Sequence, residues 1–310
     1  MSGGVVQLPL TLGPAGAVAA LERVLLDGLD VEGCPARVGV PVPAGELLLM
    51  PAAAGGFAGV KVAGVAPGNP AAGLPRITGS YLLLDGPTLQ PLALLDGAAL
   101  TALRTPAVTA LAVRALAAPD ARELVVFGAG PQAVGHLAAL RAVLPGLERA
   151  TVVARRPGPA AEVAAYAAGL GLAAAVGGPA AVAGADVVVC CTTARTPLFD
   201  GALVPDRAVV AAVGSHEPDA REVDERLVAR ADLFVEARQV ALREAGDLLL
   251  AGAGAERMAN LTELVTGRAA VRHDRPRFFK SVGMAWQDLA VAAAQYEAAG
   301  RSGRSGRSGK

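Results

Sequence analysis

A glycine-rich turn in the middle of the chain is the segment best suited to bind a phosphate. The apolar residues Leu124–Phe127 lead directly into GAGPQA at 128–133, which has the spacing G-x-G-x-x-A. Gly128 permits a tight turn, Gly130 lets the backbone approach a pyrophosphate, and Ala133 is small enough for a helix to pack closely on the strand. The positive N-terminus of that helix would face the phosphates. The motif predicts a dinucleotide-binding site, with a purely structural glycine turn as the alternative.

The end of the next predicted strand indicates which dinucleotide is bound. In NAD-binding sheets an Asp or Glu about 20 residues after the glycines accepts a hydrogen bond from the ribose 2′-hydroxyl. Here that strand ends at Ala154 and is followed by Arg155 and Arg156. A guanidinium is suited to a 2′-phosphate, although one of the two arginines could simply be solvated. We therefore expect NADP(H) to be favoured, with NAD(H) as the second choice.

Three basic residues in the first third of the chain interrupt apolar segments. Only three of the 28 basic residues are lysines, and one of them, Lys61, lies within the apolar segment Gly59–Val65. Arg37 and Arg104 are placed similarly in their own segments. A lysine that extends its ammonium from a strand edge is the simpler interpretation of Lys61. Each of the three, taken alone, is more typical of a structural residue than of a catalytic one.

The composition excludes several classes of protein. The 310 residues are 53% hydrophobic and 18% charged, which excludes disorder for most of the chain. Lys and Arg number 28, as do Asp and Glu, so the basic excess of a nucleic-acid-binding protein is missing. Cys34, Cys190 and Cys191 have neither metal nor disulfide spacing, and we expect free thiols and no metal site. We also expect a cytoplasmic protein, since the first residues do not resemble a signal peptide. The uncharged stretch Val163–Ala185 contains glycines and a proline and does not predict a membrane span.

The predicted elements form two domains. Short apolar runs predict strands at Val38–Val42, Glu46–Met50, Gly59–Val65, Ile77–Asp85 and Leu89–Leu95, followed by a helix at Gly97–Ala118. Strands alternating with helices are then predicted at Glu123–Phe127, Ala150–Ala154, Asp186–Thr192, Ala208–Val213 and Asp232–Glu236, a pattern typical of a parallel sheet. Past Asn260 we expect helix, ending with Gly283–Ala299. The tail 301–310 should be disordered.

The sequence resembles the ornithine cyclodeaminase/mu-crystallin family over about residues 30–300. The resemblance rests on LLLMP at 47–51, GVKV at 59–62, PGNPAAGLP at 67–75, LALLDGAALTALRT at 92–105, FGAGPQA at 127–133, PDARE at 218–222, EAGDLLLA at 244–251 and FKSVGMA at 279–285. It implies an α/β protein with a Rossmann dinucleotide-binding domain, 119–275, and a mixed α/β substrate-binding and dimerisation domain, 1–118. The C-terminal helix, 276–300, would return to the latter.

The resemblance also implies roles for individual residues. Arg37, Lys61 and Arg104 would bind a substrate carboxylate, with Val282 nearby and Lys61 also catalytic. The implied cofactor-binding residues are Arg104, Thr105, Gly128, Gly130, Pro131, Gln132, Ala133, Ala154, Arg155, Arg156, Thr193, Val213, Gly214 and Ser281. A guanidinium pairs bidentately with a carboxylate, and an enclosed ammonium can exchange a proton. These chemistries agree with the implied roles.

One position departs from the family pattern. Deaminating members carry an acidic residue after the strand at 208–213, two residues before a proline, and here that residue is His216. A histidine can transfer protons near neutral pH, so His216 is a second catalytic candidate, with an inert loop residue as the alternative. Asp219 and Glu222 are expected to organise this loop. His136 and His273 are expected to be structural.

The resemblance implies an NADP(H)- or NAD(H)-dependent oxidoreductase that reduces the C=N bond of a small, cyclic α-imino acid. The alternatives are an ornithine cyclodeaminase, which would need the acidic residue replaced by His216, and an amino-acid dehydrogenase or non-catalytic NADP-binding protein. The implied partners are a small α-imino or amino acid and a second copy of the chain. Neither nucleic acid nor a membrane is expected.

Overall fold

The computed structural model describes the backbone of residues 5–305 and the side chains of residues 5–300. The chain forms two compact units. The first runs to Arg104 and resumes at Met284, and the second is Thr105–Gly283. Sequence analysis places these boundaries near residues 118 and 275. The structure differs because one long helix contributes to both units and because a strand after residue 275 belongs to the second unit.

The first unit is built on a six-stranded sheet. Its strands are β1 (Val6–Gln7), β2 (Val38–Val42), β3 (Gly45–Ala54), β4 (Phe57–Val65), β5 (Ile77–Asp85) and β6 (Pro91–Asp96). Their order is β1-β6-β5-β4-β3-β2, and every pair is antiparallel except β1 with β6. The helices are α1 (Pro14–Leu26), the start of α2 (Gly97–Leu116) and α9 (Ala285–Ser305), with a 3-10 turn at Asn69–Ala72.

The side chains of the first sheet alternate between two faces, as the period of two in a strand requires. Met50, Lys61, Tyr81 and Leu83 are buried on one face. Helix α9 packs against β3, β4 and β5, and α1 packs against α9. This face therefore forms the core of the unit and places α9 over the middle of β4.

The second unit is built on an eight-stranded sheet in which every pair is parallel. Its strands are β7 (Glu123–Phe127), β8 (Arg149–Val153), β9 (Ala173–Val176), β10 (Val187–Cys190), β11 (Val209–Ala212), β12 (Asp232–Val235), β13 (Met258–Asn260) and β14 (Arg277–Lys280). The order is β13-β12-β14-β11-β10-β7-β8-β9. The helices are α3 (Pro131–Val143), α4 (Pro157–Gly169), α5 (Glu225–Arg230), α6 (Arg238–Glu244), α7 (Gly246–Leu249) and α8 (Leu261–Val265), with 3-10 turns at Pro179–Gly184, Gly201–Leu203 and Ala255–Arg257. The predicted α/β fold is confirmed.

Strand β14 corrects the sequence-based expectation that the chain is helical past Asn260. It lies between β11 and β12 in the middle of the sheet. Its four residues begin with Arg277 and end with Lys280, both buried. A central strand that is so short and carries charge at both ends lacks the apolar run by which buried strands are recognised. Strand β1 and helix α1 were also not predicted.

Two segments that raise the question of a membrane or of disorder have structural explanations. Gly97–Leu116 is long and apolar enough to span a membrane, but 67% of its apolar window is buried inside the protein, as in a core helix. Val163–Ala185 forms the end of α4, strand β9 and a 3-10 turn. The backbone of α9 continues to Ser305, into the tail expected to be disordered. That expectation for residues 306–310 lies outside the described residues.

We predict that Arg277 is a major stabilising residue of the second unit. Its guanidinium is fully buried and donates to the carbonyls of Leu116, Asp206, Arg207, Arg272 and Arg275 at 2.5–3.3 Å. Arg277→Met would leave one buried and four part-buried carbonyls without this donor, at a cost of about 1–3 kcal/mol or more. Denaturant unfolding should show this loss. The exposed control Arg155→Met should change the free energy of unfolding by less than about 0.5 kcal/mol, and equal effects of the two substitutions would contradict the prediction.

Candidate functional site

The first unit contains a buried cluster of ionised side chains from three elements. Lys61 of β4 donates from Nζ to Asp288 Oδ2 of α9 at 2.8 Å and to Thr101 Oγ1 of α2 at 3.1 Å. Arg104 of α2 places Nε 3.3 Å from Asp288 Oδ1 and donates from Nη1 to Gln287 Oε1 at 2.8 Å. Lys61, Arg104 and Asp288 are 4%, 6% and 0% exposed. The structure thus brings together two residues predicted to bind a carboxylate.

The local sequence explains why Lys61 is buried. Lys61 lies with Gly59 and Ala63 on the inner face of β4. This strand is central, because it pairs with β3 on one side and with β5 on the other. The interpretation of Lys61 as a snorkelling edge-strand residue is therefore wrong. Helix α2 starts at Gly97, where Asp96 accepts hydrogen bonds from the first free backbone amides. This cap fixes the turn that carries Thr101.

Asp288 and Gln287 are site residues that sequence analysis missed. They form the only polar pair in the apolar first turns of α9, in the sequence AWQDLAVAAA at 285–294. A carboxylate in such a helix is rarely buried unless it is paired. That signal, together with a lysine in an apolar strand, was available in the sequence. The sequence did not indicate which cation pairs with Asp288, because the partners are more than 180 residues apart along the chain.

Positive charge exceeds negative charge in this cluster. Burial lowers the pKa of Lys61 to about 8, and the nearby charges of Arg104 and Arg37 act in the same direction, while Asp288 opposes them. Arg37, which is half-buried immediately before β2, is thus close enough to act on Lys61. Lys61 and Arg104, both buried, share the single carboxylate of Asp288. The arrangement can accept a further anion, and Lys61 can exchange a proton near neutral pH.

Tyr81 adds a buried hydroxyl to the same side of the sheet. It is opposite Lys61 in the register of β4 and β5, and it is fully buried. Burial and the charge of Asp288 raise its pKa, so it stays neutral. Among the described residues its hydroxyl has no hydrogen-bond partner. An unpaired buried hydroxyl costs about 1–3 kcal/mol, which a polar ligand atom would recover.

The glycine-rich turn has the geometry of a phosphate site. Gly128 has φ +123°, and a Cβ there would lie 2.8 Å from the carbonyl oxygen of Cys191. A Cβ on Gly130 would meet no atom within 4 Å, so the turn is open on that side. Gly130 is the N-cap of α3 and Pro131 its first residue, and no side chain caps the helix. The uncapped N-terminus of α3 and the open space at Gly130 fit a pyrophosphate.

The other predicted cofactor residues lie at the ends of neighbouring strands. Ala133 is fully buried against β7, and Gln132 has a buried amide oxygen without a partner among the described side chains. Ala154 follows β8 directly, and after it Arg155 and Arg156 are exposed. Neither guanidinium forms an ion pair within residues 5–300. The end of β8 thus offers positive charge and no carboxylate.

Further along the same sheet edge, Thr193 follows β10, Val213 and Gly214 follow β11, and Ser281 and Val282 follow β14. Thr193 is exposed, Val213 half-buried and Ser281 buried. Buried carboxylates hold these segments in place. Thr105 is buried in α2, where its carbonyl accepts from Thr109 Oγ1 at 3.3 Å.

The histidines have different environments. His216 is exposed in the loop after β11. His136 is fully buried, with its ring nitrogens 2.7 Å from the Gln132 carbonyl and 3.0 Å from Thr109 Oγ1, and burial lowers its pKa to about 4. His136 is therefore neutral and structural, as predicted. His273 is exposed, and burial of part of its ring and nearby arginines lower its pKa. Within residues 5–300, no three His, Cys, Asp or Glu side chains gather as metal ligands.

Comparison with known proteins places this geometry in context. The model of the ornithine cyclodeaminase/mu-crystallin family matches residues 23–303. The chain is 37% identical over 265 residues to Δ(1)-pyrroline-2-carboxylate reductase 2 of Burkholderia ambifaria, covering 85% of this chain and 84% of that protein. It is 35% identical over 268 residues to the ketimine reductase mu-crystallin of Mus musculus, with 85% and 84% covered. The solved structure of Thermococcus litoralis Δ(1)-pyrroline-2-carboxylate reductase in complex with NADH and L-proline is similar, with a TM-score of 0.89, 29% identity and coverage of 96% and 98%.

We predict that two alanine substitutions in the turn separate folding from dinucleotide binding. Gly130→Ala adds a methyl group to open space, so the melting temperature should be unchanged. That methyl group would occupy the space through which a pyrophosphate approaches, and the Kd for the dinucleotide should rise at least about tenfold, or about 1.4 kcal/mol.

In Gly128→Ala, in contrast, the alanine would have to adopt a positive φ, and its Cβ would clash with the carbonyl oxygen of Cys191. This substitution should therefore lower both the stability of the protein and its affinity for the dinucleotide. Calorimetry and titration of cofactor fluorescence would measure the two effects. A Gly130→Ala protein that binds the dinucleotide as tightly as the wild type would contradict the assignment of the turn.

Proposed function

Because the chain belongs to the ornithine cyclodeaminase/mu-crystallin family, we propose that it is an NAD(P)H-dependent oxidoreductase that reduces the C=N bond of a small cyclic α-imino acid. Δ1-Pyrroline-2-carboxylate or Δ1-piperideine-2-carboxylate is the proposed substrate class. The observation that carries the proposal is the buried cluster of Lys61, Arg104 and Asp288 with Arg37 beside it. Two relatives of more than 30% identity are a pyrroline-2-carboxylate reductase and a ketimine reductase, which supports the same chemistry.

The excess positive charge selects an anionic substrate. Asp288 accepts from Lys61 and faces Arg104, and these two buried cations have no second buried carboxylate in the described part of this unit. A substrate carboxylate would supply it. Arg104 and Arg37 offer planar donors that pair bidentately with a carboxylate, and Lys61 adds a third contact. These residues would fix the orientation of the imine and remove much of the entropic part of the barrier.

Lys61 also suits proton transfer to nitrogen. With a pKa of about 8 it is protonated at neutral pH, yet it loses its proton more readily than an ordinary lysine. Protonation of the imine nitrogen makes the adjacent carbon a better hydride acceptor, and the bound nicotinamide supplies that hydride. Asp288 and Thr101 hold Nζ in one place, so the proton is delivered from a fixed position. His216, in the loop after β11, is a further proton donor in this proposal.

We propose NADP(H) as the preferred cofactor. The support is local: Ala154 leaves no carboxylate at the end of β8, and the next two residues are exposed arginines without ion pairs in the described structure. We also propose a cytoplasmic location, which the three free cysteines support.

We further propose that the protein is a homodimer. The face of the first sheet opposite to Lys61 exposes apolar side chains in adjacent register: Val38 and Val40 of the edge strand β2, Leu47 of β3 and Val62 of β4. A contiguous apolar face that reaches a sheet edge is a surface that monomers usually avoid. The same face of a second copy, related by a two-fold axis, would cover it.

The function is tested by following NADPH oxidation against a panel of cyclic imino acids, with ammonia release from ornithine measured in parallel. Oxidation with a cyclic imino acid and no ammonia is the expected result. Ammonia release without net oxidation would instead indicate a cyclodeaminase. Cofactor binding without either reaction would indicate a binding protein.

Lys61 should be required for turnover and dispensable for cofactor binding. Lys61→Ala should lower kcat/KM by about 10²-fold or more, roughly 2.7 kcal/mol, and leave the Kd for NADPH unchanged. Lys61→Arg should recover little, because a guanidinium does not release its proton. A Lys61→Ala enzyme within about threefold of wild type would remove this lysine from the mechanism.

The pH dependence provides a second measure of the same residue. Protonated Lys61 is the form that attracts the carboxylate and donates the proton, so kcat/KM should fall as the pH rises through about 8. In Lys61→Ala this decline should disappear from the pH profile. A decline of the same size and position in both proteins would assign the titration to another group.

NADPH should bind at least about tenfold more tightly than NADH, or about 1.4 kcal/mol. The physical reason is the charge of Arg155 and Arg156 on a 2′-phosphate. Ala154→Asp combined with Arg155→Ser should reverse the preference, as measured by fluorescence titration with both cofactors. Equal affinities of the wild-type protein for the two would contradict the proposed preference.

Light scattering at micromolar concentration should give twice the 30.9 kDa mass of the chain. Val40→Lys, on the exposed apolar face, should shift the protein towards the monomer, because it places a charge in the interface. The matched control is Val176→Lys on β9, another exposed valine on an edge strand, which should leave the mass unchanged. A monomeric wild-type protein would contradict the dimer.

A further inference from the structure

Glu222 joins two loops at the carboxyl edge of the second sheet. It is fully buried. Its Oε1 accepts from the backbone amide and the hydroxyl of Thr192 at 2.8 and 2.7 Å, and its Oε2 accepts from the amide of Gly214 at 2.7 Å. Thr192 follows β10 and Gly214 follows β11. A single carboxylate therefore fixes the chain just past two neighbouring central strands.

Glu236 does the same for the next loop. It follows β12 and is 1% exposed. Its Oε1 accepts from Ser281 Oγ at 2.8 Å, and its Oε2 accepts from the amides of Val282 and Gly283 at 2.9 and 2.8 Å. These three residues follow β14, the neighbour of β12.

Lys280 and Asp247 form a buried ion pair beside Glu222. Lys280 Nζ donates to the Ser215 carbonyl at 2.7 Å and lies 2.7 Å from Asp247 Oδ2. Asp247 Oδ1 accepts from the amides of Glu222 and Val223 at 2.7 and 3.0 Å. Burial raises the pKa of Glu222 while the charge of Lys280 opposes the shift. Buried polar contacts thus lie at the ends of β10, β11, β14 and β12, in sheet order.

We propose that Glu222 and Glu236 are positioning residues for the nicotinamide half of the cofactor. Ligands of open α/β sheets bind outside the carboxyl ends of the strands. The phosphate turn follows β7 and the two exposed arginines follow β8, so the adenosine half belongs to that side of the sheet. The strands on the other side of β7 are β10, β11 and β14, whose loops the two glutamates hold. The glutamates act through the backbone of these loops and do not contact the cofactor.

A carboxylate suits this task better than its amide. Each glutamate accepts three hydrogen bonds with two oxygens, and at least one backbone amide is directed at each side chain. In Glu222→Gln the new NH₂ group would face either the Gly214 amide or the Thr192 amide, a donor against a donor. The loop concerned would have to move, while the strands and the phosphate turn would not.

The experiment compares a complete cofactor with its adenosine half. Because the inference rests on dinucleotide binding, wild-type protein is first titrated with NADPH and with 2′,5′-ADP. Glu222→Gln and Glu236→Leu, which removes all three acceptor contacts of Glu236, should each weaken NADPH binding at least about tenfold and change the 2′,5′-ADP affinity less than twofold. The matched control is Glu225→Gln, an exposed residue paired with Arg221 at 2.8 Å, which should bind both ligands like the wild type.

Each outcome distinguishes this inference from the proposed function. A wild-type protein that binds neither ligand contradicts dinucleotide binding itself. A wild type that binds both, with Glu222 and Glu236 variants that bind NADPH normally or lose both ligands equally, overturns the positioning role. If these variants do not fold by circular dichroism, Thr192→Val, which removes one hydroxyl from Glu222, replaces them. This variant should weaken the binding of NADPH but not of 2′,5′-ADP, and an affinity for NADPH equal to that of the wild type would again overturn the proposal.

Discussion

The buried contact between Lys61 and Asp288 is the interaction on which the first unit depends. An ammonium and a carboxylate that lose their water must be paired closely, because either one left alone in the core would cost several kcal/mol. The partners belong to β4 and to α9, so the pair requires the C-terminal helix to return to the N-terminal sheet. Arg104 and Gln287 extend the same requirement to α2. The path of the chain and the position of the site thus have one physical cause.

The second unit is subject to a different constraint. Irregular backbone has to be held in place at the carboxyl end of its parallel sheet. Loops there carry amides that no strand pairs with, and buried amides need acceptors. Glu222, Glu236 and Asp247 provide them from within the protein. Their negative charge needs compensation in turn, and Lys280 supplies part of it. One of only three lysines in the sequence is therefore structural, while Lys61, equally buried, faces the excess positive charge of the first unit.

Sequence reasoning recovered the elements whose pattern is local. The glycine turn, the strands with apolar runs and the helix at α2 were found within a few residues, because turn chemistry and side-chain period are written into neighbouring positions. It failed at β14, where Arg277 and Lys280 obscure a central strand. It also missed Asp288, Glu236 and Asp247. A charged residue in an apolar segment signals burial, but its partner is set by the tertiary fold and cannot be read from neighbouring positions.

The charge balance of the first cluster has a further consequence. If a second acidic residue neutralised Lys61 and Arg104, the cluster would be more stable and would have no affinity for a carboxylate. Asp288 is the only buried carboxylate among the described residues of that unit and faces two buried cations, so the cluster keeps an excess of positive charge. The same excess of positive charge helps to keep the pKa of Lys61 low. Arrival of an anionic substrate would therefore both complete the ion pairs and favour the protonated lysine, so binding and proton donation are coupled through one set of charges.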